Sequence, residues 1–182
     1  MPKKTRKHKT AKKTKKSGVA KVIKKAKKGL NKIAAYLEKA KVKYKMLEHK
    51  MVYTAHDLAQ TTKKKINEIA KVVLVKTDKG FALVIVPASK YIDFAAIKAA
   101  LKVKKVTMAA EKDITKYLKT KVGLLHPFGN IYKIPTLMDK GFSRADKLLA
   151  SAGSYVESVE IALNDFEKLV QPIRGVFSKS KK

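Results

Sequence analysis

The stretch that decides the fold is IAKVVLV at residues 69–75, followed by the turn TDKG at 77–80 and by FALVIV at 81–86. Both apolar runs have the length of a single strand, and both are rich in β-branched or aromatic residues. A glycine that closes a short polar turn between two such runs is typical of a hairpin, because glycine adopts the backbone angles of tight turns. The sequence therefore predicts two antiparallel strands as the most strongly indicated elements of the fold.

The residues on either side of this hairpin predict short strands mixed with short helices. Thr54 and Asp93 each precede a helical pattern and are typical N-cap residues. Pro135 lies inside one predicted strand, which favours an edge or bulged position because proline donates no hydrogen bond to a ladder. This mixture predicts an α/β fold of the α+β type, built around one mixed sheet or barrel. The further predicted strands are Tyr44–His49, Lys105–Met108, Ile131–Met138, Leu148–Ala152 and Ser158–Leu163.

The charge is unevenly distributed along the 182 residues, which carry 44 Lys and Arg against 14 Asp and Glu, a net charge of +30. Residues 1–29 hold 13 Lys, one Arg and no acid, so the remainder carries 30 basic and 14 acidic residues, or +16. We therefore predict a basic arm (1–29), a folded domain (30–171) and a short basic tail (172–182). The first half of the arm is predicted to be disordered. Apolar residues at helical spacing from Val19 to Leu37 predict a helix.

The arm indicates a polyanionic partner. Lys and Arg release the counterions that condense on nucleic acid phosphates, and this composition does not separate RNA from DNA. A solubility tail or a targeting signal has the same composition, and a basic amphipathic helix also fits an anionic membrane surface. With six Phe, seven Tyr and no Trp, an extended stacking surface for single strands is not expected.

Several classes of protein are excluded or disfavoured by what the sequence lacks. It has no cysteine, so disulfide scaffolds, zinc–cysteine sites and thiol nucleophiles are excluded. The four histidines follow no metal-ligand spacing, and we predict neither a metal nor a cofactor. No Gly-x-Ser-x-Gly elbow and no P-loop is present. The longest apolar run, Phe81–Ala88, is too short for a membrane span, and no signal peptide is visible, so we expect a cytoplasmic protein that does not associate with membranes.

Lys71 is the first candidate for a catalytic or substrate-binding residue. It interrupts the apolar run, and by strand alternation it shares a face with Ile69, Val73 and Val75. If that face is buried, an ammonium group is brought to the edge of a low-dielectric space. Such a lysine either reaches water along its aliphatic stem or serves a binding site.

The second candidate is the loop at residues 122–129. Gly123 and Gly129 free its backbone, while Pro127 stiffens it. This combination suits a loop that presents N–H groups to a ligand, and it equally suits an ordinary connection.

Read in order, a set of segments resembles the YbaK/prolyl-tRNA synthetase-associated editing-domain family. The likeness runs in register from about residue 31 to 171 and leaves the arm outside. It is specific because the lysine within a strand, the Gly-x-x-x-Pro loop that begins at Gly123 and the closing segment occur together. The segments are EIAKVVLVK (68–76), ALVIVPAS (82–89), LKVKKVTMAAEKDI (101–114), IPTLMD (134–139), LLASAG (148–153) and VEIALNDFEKLV (159–170).

The resemblance implies a compact domain with a mixed, partly closed sheet flanked by helices. It also implies a trans-acting aminoacyl-tRNA deacylase, which hydrolyses the ester between a wrong amino acid and the 3′ end of tRNA. Lys71 matches the family's essential lysine, whose role would be to hold the terminal adenosine or its phosphate and to orient the ester. A ribose hydroxyl of the substrate or a bound water would then assist. The alternative is a non-catalytic nucleic-acid-binding protein on the same scaffold, and the oligomeric state is left open.

The resemblance also implies further residues that bind the substrate. Gly123 and Pro127 match the loop that lines the aminoacyl pocket, where the backbone would hold the amino group or the developing oxyanion. Asp139 matches an acidic position after a strand, and Gly153 matches a glycine beside the pocket. His126 departs from the pattern, which has Ser or Thr there, so we expect a pocket of altered size or polarity and an altered amino-acid preference.

Overall fold

The computed structural model describes residues 32–142 and 145–180. The predictions for the arm concern residues 1–29 and therefore lie outside the described residues, as does most of the helix predicted from Val19 onward. Residues 32–37 of that predicted helix are described and are helical, and the helix continues to residue 39. Within this described part of the chain, no helix has both the length and the apolar character that a membrane crossing requires.

Short strands and short helices alternate along the described chain. The strands are β1 (Tyr44–Glu48), β2 (Ala70–Thr77), β3 (Gly80–Pro87), β4 (Tyr91–Ile92), β5 (Val106–Met108), β6 (Thr136–Asp139), β7 (Lys147–Ser151), β8 (Glu157–Ala162), β9 (Ile173–Gly175) and β10 (Ser178–Lys179). The helices are α1 (residues 32–39), α2 (Ala55–Thr62), α3 (Phe94–Leu101), α4 (Glu111–Asp113), α5 (Gly129–Tyr132) and α6 (Leu163–Val170). A π-helical turn, Ile114–Leu118, continues α4.

The strands form a mixed five-stranded sheet, a three-stranded sheet and a two-stranded ribbon. The five-stranded sheet has the order β5-β2-β3-β6-β9, in which β6 runs parallel to both of its neighbours and the other pairs are antiparallel. The three-stranded sheet has the order β1-β8-β7, and β10 pairs with β4. A parallel bridge between Ile69 and Leu149 connects the start of β2 to β7. The predicted α/β fold with a mixed sheet flanked by helices is therefore confirmed.

The predicted hairpin is the β2–β3 pair, which is antiparallel from Ala70 opposite Pro87 to Thr77 opposite Gly80. Gly80 has φ +124°, a value that explains the glycine at the turn. Both faces of the hairpin are covered by apolar groups. On one face Val84 packs with Ile97 of α3, and on the other Ile85 joins a larger core formed with α1, α6 and the three-stranded sheet.

The segment around Pro135 differs from the prediction. Residues 131–138 were expected to form one strand, but they divide into the end of α5, a short connection and β6. Pro135 lies just before β6, where its carbonyl oxygen accepts the N–H of Leu83 and its missing N–H leaves no gap in the ladder. Since β6 lies between β3 and β9, the interpretation of this strand as an edge or a bulge was wrong.

The residues after α6 take part in the fold. β9 pairs with β6, and β10 pairs with β4, although both lie within the segment expected to be a short basic tail. Phe177, between these two strands, is almost fully buried against the core on the α3 side. Strands of two or three residues are too short for alternation to indicate them in a sequence.

Several helices end at a lysine whose backbone is left-handed. Lys63, Lys102 and Lys133 are the C-caps of α2, α3 and α5, with φ values of 54°, 50° and 57°. Lys41, just after α1, and Lys119, after the π-helical turn, have φ values of 54° and 55°. Glycine is the usual residue in this conformation because it has no Cβ to clash with the backbone.

Asp93 caps α3, and we expect its removal to destabilise the fold. Its Oδ1 accepts the N–H of Ala95 at 3.0 Å and of Ala96 at 3.3 Å. Asp93→Ala should lower the free energy of unfolding by about 1 kcal/mol at neutral pH, the typical cost of losing such a cap. Asp93→Asn keeps a capping oxygen and should retain most of the stability. Urea unfolding of the three proteins measures both differences.

The contribution of Asp93 should depend on pH. The hydrogen bond from Ala96 N–H holds the pKa of Asp93 below its usual value of 3.8. Because the folded-state pKa is depressed, the stabilisation is complete above the unfolded-state pKa and is lost as the pH falls through the folded-state pKa. The difference in the free energy of unfolding between wild type and Asp93→Ala should therefore become smaller below about pH 4. Equal stability of these two proteins at pH 7 would contradict the prediction.

Candidate active-site cleft

A cleft of about 110 Å³ opens beside the start of β2 and the first residues of α2. α2 begins there because Thr54 and Asp57 form a capping box: the Thr54 hydroxyl accepts the N–H of Asp57, whose carboxylate accepts the N–H of Thr54. The ends of β7 and β8 and the loop after Val122 complete the walls. The lining residues include Tyr53, Lys71, Gly123, Leu125, Ser151, Ser154 and Ser158.

Lys71 is half-buried on β2, opposite Val86 of β3. Its ammonium group donates a hydrogen bond to the carbonyl oxygen of Lys90 and lies 5.8 Å from the centroid of the Tyr91 ring. Lys71 thus lies near the start of β2 and lines the cleft, and its side chain carries a compact positive charge on a flexible stem. Within residues 32–142 and 145–180, no three His, Asp or Glu side chains are grouped as metal ligands would be.

The two glycines predicted to bind substrate, Gly123 and Gly153, each lie close to the backbone of another loop. Gly123 and Gly153 both have φ +82°, a left-handed conformation that glycine adopts most easily. A Cβ on Gly123 would lie 3.4 Å from the carbonyl oxygen of Tyr53, and one on Gly153 would lie 3.9 Å from that of Leu124. Gly123 lines the cleft itself. Gly153 lies in the turn behind it, between the lining residues Ser151 and Ser154.

His126 and Pro127 are buried beside the cleft and do not line it. The His126 ring is stacked on Tyr132, with ring centroids 4.3 Å apart and planes 9° apart. Its Nδ1 accepts the N–H of Phe128 at 3.3 Å. Burial lowers the pKa of His126 to about 4, so the imidazole is neutral at physiological pH. Its neighbour Leu125 does line the cleft, so His126 belongs to the same loop but is not in the cleft wall.

Asp139 lies away from the cleft, and its carboxylate holds the backbone of two other segments. Oδ1 accepts the N–H of Gly141 and Oδ2 accepts the N–H of Phe177, each at 2.6 Å. The Asp139 carbonyl oxygen accepts from Arg174 at 3.2 Å. These bonds join the end of β6 to the chain that follows β9. Of the residues predicted from the resemblance, Lys71 and Gly123 come together at the cleft, Gly153, His126 and Pro127 lie beside it, and Asp139 does not join them.

Sequence reasoning missed a hydroxyl group that lines the cleft. The Ser158 Oγ lies 2.9 Å from Nε2 of His49, and Nδ1 of His49 lies 2.8 Å from the carbonyl oxygen of Lys50. A carbonyl oxygen only accepts, so Nδ1 is the donor there, and in the neutral imidazole Nε2 accepts the Ser158 hydroxyl. His49 and Ser158 are 109 positions apart, and no local spacing could have paired them.

A larger groove of about 890 Å³ lies beside β1 and the end of α2. It is basic, but Glu160 pairs there with Lys64 at 2.7 Å and with Lys147 at 3.1 Å. The hydrogen bond from Lys64 holds the pKa of Glu160 below its usual range. None of the predicted site residues lines this groove. Lys71 and Gly123 both line the smaller cleft instead.

Comparisons with known proteins agree with the resemblance. A family model described as an aminoacyl-tRNA editing domain matches residues 49–169. The prolyl-tRNA editing protein ProX of Acetoanaerobium sticklandii is 24% identical over 151 residues, which cover 80% of this chain and 92% of that protein. The crystal structure of a hypothetical protein has a TM-score of 0.76 at 17% identity, covering 81% of this chain and 99% of the other. A crystal structure described as a candidate trans-editing enzyme for prolyl tRNA synthetase has a TM-score of 0.75 at 15% identity, covering 84% and 98%.

The burial of His126 predicts a pH dependence of stability. Its folded-state pKa of about 4 lies below the usual 6.5, so the unfolded chain binds a proton first as the pH falls. Stability should therefore fall between about pH 6.5 and pH 4, by at most about 3 kcal/mol, and this component should stop changing below that range. His126→Phe removes the titrating group and should flatten this part of the profile.

Urea unfolding at several pH values measures how the free energy of unfolding depends on pH. The variant also removes the acceptor for Phe128 N–H, so its absolute stability is not the readout. His126→Asn provides a second non-titrating variant if His126→Phe does not fold. If both variants show the same dependence of unfolding free energy on pH as the wild type, His126 is not a buried neutral imidazole.

Proposed function

Because this chain belongs to the aminoacyl-tRNA editing domain family, we propose that it acts in trans to hydrolyse the ester of mischarged tRNA. The observation that carries the proposal is the cleft that Lys71 and Gly123 line together. Both residues were predicted from separate segments of the sequence. The name of the ProX relative makes tRNA that should carry proline the first substrate to test.

Lys71 supplies the charge in the proposed reaction. The 3′ end of tRNA brings phosphate groups, and charge develops on the ester carbonyl oxygen when a nucleophile attacks the carbonyl carbon. A positive charge fixed beside the cleft stabilises both. Lys71 lines the cleft, and its ammonium group contacts the Lys90 carbonyl oxygen and the Tyr91 ring.

The loop that begins at Gly123 supplies the proposed wall of the aminoacyl pocket. Gly123 has a left-handed backbone and lines the cleft, where N–H groups of the loop would hold the amino group or the developing oxyanion. A water molecule, assisted by a ribose hydroxyl of the substrate, attacks the carbonyl carbon. The ester C–O bond to the 3′ oxygen breaks, and the amino acid leaves with a free carboxyl group. A proton passes to that oxygen, leaving tRNA with a free hydroxyl. The Ser158 hydroxyl, held by His49, is a further polar group able to position the attacking water.

The arm has a separate part in the proposal, which is affinity for the tRNA backbone. Its fourteen positive charges have no acidic residue within residues 1–29. Phosphate contacts of this kind carry little sequence information and depend strongly on salt. Chemistry and most of the non-specific affinity would then belong to different parts of the chain.

Lys71→Ala should remove most deacylation without unfolding the protein. Loss of a preorganised charged contact in a transition state costs about 2.7–4 kcal/mol, or roughly a hundred- to a thousandfold in rate. The measurement is single-turnover hydrolysis of a panel of mischarged tRNAs, beginning with tRNA for proline. Lys76→Ala is a matched control, since Lys76 lies on the same strand with its side chain 54% exposed.

Undiminished hydrolysis by well-folded Lys71→Ala would refute the role of Lys71. If the wild type binds tRNA but hydrolyses no ester in the panel, the alternative function, a non-catalytic nucleic-acid-binding protein on this scaffold, is the better description.

Deleting residues 1–29 should weaken tRNA binding and reduce its dependence on salt. Each neutralised phosphate adds about 0.7–0.9 to the slope of log K against log salt, and not all fourteen charges will reach a phosphate. The slope should therefore fall by fewer than fourteen units. Turnover of saturating substrate should persist, because Lys71 and the loop remain.

Salt titrations of full-length and truncated protein, with DNA as a competitor, measure this effect. A full-length variant with Lys12, Lys13, Lys15 and Lys16 changed to Gln controls for chain length, and its slope should lie between the other two. Identical binding at every salt concentration would identify the arm as a solubility or localisation segment.

A further inference from the structure

Tyr53 is a large aromatic side chain at the cleft that the rest of the fold does not bury. It lines the cleft, yet 64% of its surface is exposed, and Met51 beside it is 46% exposed. Large apolar groups that stay in water next to a binding site often mark a surface that a partner covers. The contacts around Tyr53 show what kind of surface this is.

The Tyr53 side chain contacts two neighbours, and backbone hydrogen bonds hold the chain on which it lies. It lies against the Tyr155 ring, with centroids 5.0 Å apart and planes 51° apart. Its hydroxyl lies 2.9 Å from the sulfur of Met51. Its backbone N–H donates to Asp57 of the capping box at 3.2 Å, and Val52 N–H donates to Tyr155 O at 2.8 Å. The ring is therefore a positioned flat surface whose remaining area faces solvent.

The size of the cleft places part of the substrate outside it. Pockets that enclose a drug-sized ligand measure about 300–1,000 Å³. A cleft of about 110 Å³ can take an aminoacyl group but cannot also enclose the nucleoside that carries it. If the ester lies between Lys71 and Gly123, the attached base must lie at the rim, and the carbonyl oxygen of Tyr53 is already within 3.4 Å of the Cβ position at Gly123.

We propose that Tyr53, supported by Tyr155 and Met51, is a stacking surface for the 3′-terminal base of the bound RNA. This inference rests on the proposed function, which brings a tRNA 3′ end to the cleft. Exposed aromatic rings stack on unpaired bases in many RNA-binding proteins. A charge of +16 over residues 30–182 favours a nucleic acid over a protein as the group that covers this ring.

The stacking surface is tested with RNA that carries no amino acid, so the result does not depend on hydrolysis. The probes are two hairpin RNAs with an unpaired CCA end, one intact and one lacking only the terminal base. The wild type should bind the intact RNA about 5- to 150-fold more tightly than the RNA without that base. Tyr53→Ala should bind the two RNAs almost equally, because the ring that distinguishes them is gone.

Three further variants make the test specific. Tyr53→Phe keeps the ring and should behave as the wild type, whereas Tyr53→Leu keeps apolar bulk without aromaticity and should lose most of the discrimination. Tyr117→Ala is the matched control, since Tyr117 is 54% exposed but packs on Phe81 and does not line the cleft. A 2-aminopurine at the terminal position should lose fluorescence with wild type and Tyr53→Phe but not with Tyr53→Ala.

Two kinds of outcome would overturn the inference. One is a wild type that binds both RNAs equally, or a Tyr53→Ala protein that discriminates as well as the wild type. The other is a change in molecular mass on Tyr53→Ala, measured by light scattering, with unchanged RNA discrimination, which would identify the ring as a contact between copies of the chain. Failure of the proposed function appears differently, as absence of deacylation in every protein, with or without discrimination between the RNAs.

Discussion

The structure depends on a strand that has no exposed face. β3 is bonded on one edge to β2 and on the other to β6, and its residues from Ala82 to Pro87 are buried on both sides. A strand of this kind requires an apolar layer above and below it. α3 and Phe177 provide one layer, and the larger core with α1 and α6 provides the other. The remaining elements either extend this sheet or cover it.

The cleft lies where this double coverage ends. Along β2 both faces are buried at Leu74 and Val75, but burial falls off towards Lys71, which is half-buried. A lysine is tolerated there because its stem packs on the sheet while its ammonium group reaches a carbonyl oxygen. The same transition from core to solvent leaves room for the loop of Gly123. In the proposed reaction, the buried hairpin keeps the positive charge of Lys71 and the loop of Gly123 in a constant position relative to each other.

How far the sequence could predict the structure depended on how local each signal was. The hairpin and the capping residues Thr54 and Asp93 were confirmed because their patterns are complete within a few residues. His126 and Asp139 have partners, Tyr132 and Phe177, whose proximity exists only in the folded chain. No local sequence pattern indicates that Asp139 accepts two backbone N–H groups or that His126 is stacked on another ring in the core.

The serines of the cleft were missed for a related reason. Ser151 and Ser158 come from β7 and β8, and only the pairing of these strands with each other and with β1 brings Ser158 to His49. A serine has no local pattern that distinguishes a lining residue from an ordinary surface one. The resemblance predicted Lys71 and Gly123, which both line the cleft, but it did not predict the serines beside them.

The lysines that end helices say something about how this protein can evolve. A side chain in the left-handed conformation costs roughly 1–2 kcal/mol per residue, a strain that glycine avoids. Lys41, Lys63, Lys102, Lys119 and Lys133 all adopt it. Mutation of any of them to glycine would relieve strain and remove one positive charge, so for this protein folding stability and charge are opposed at five sites that lie outside the core.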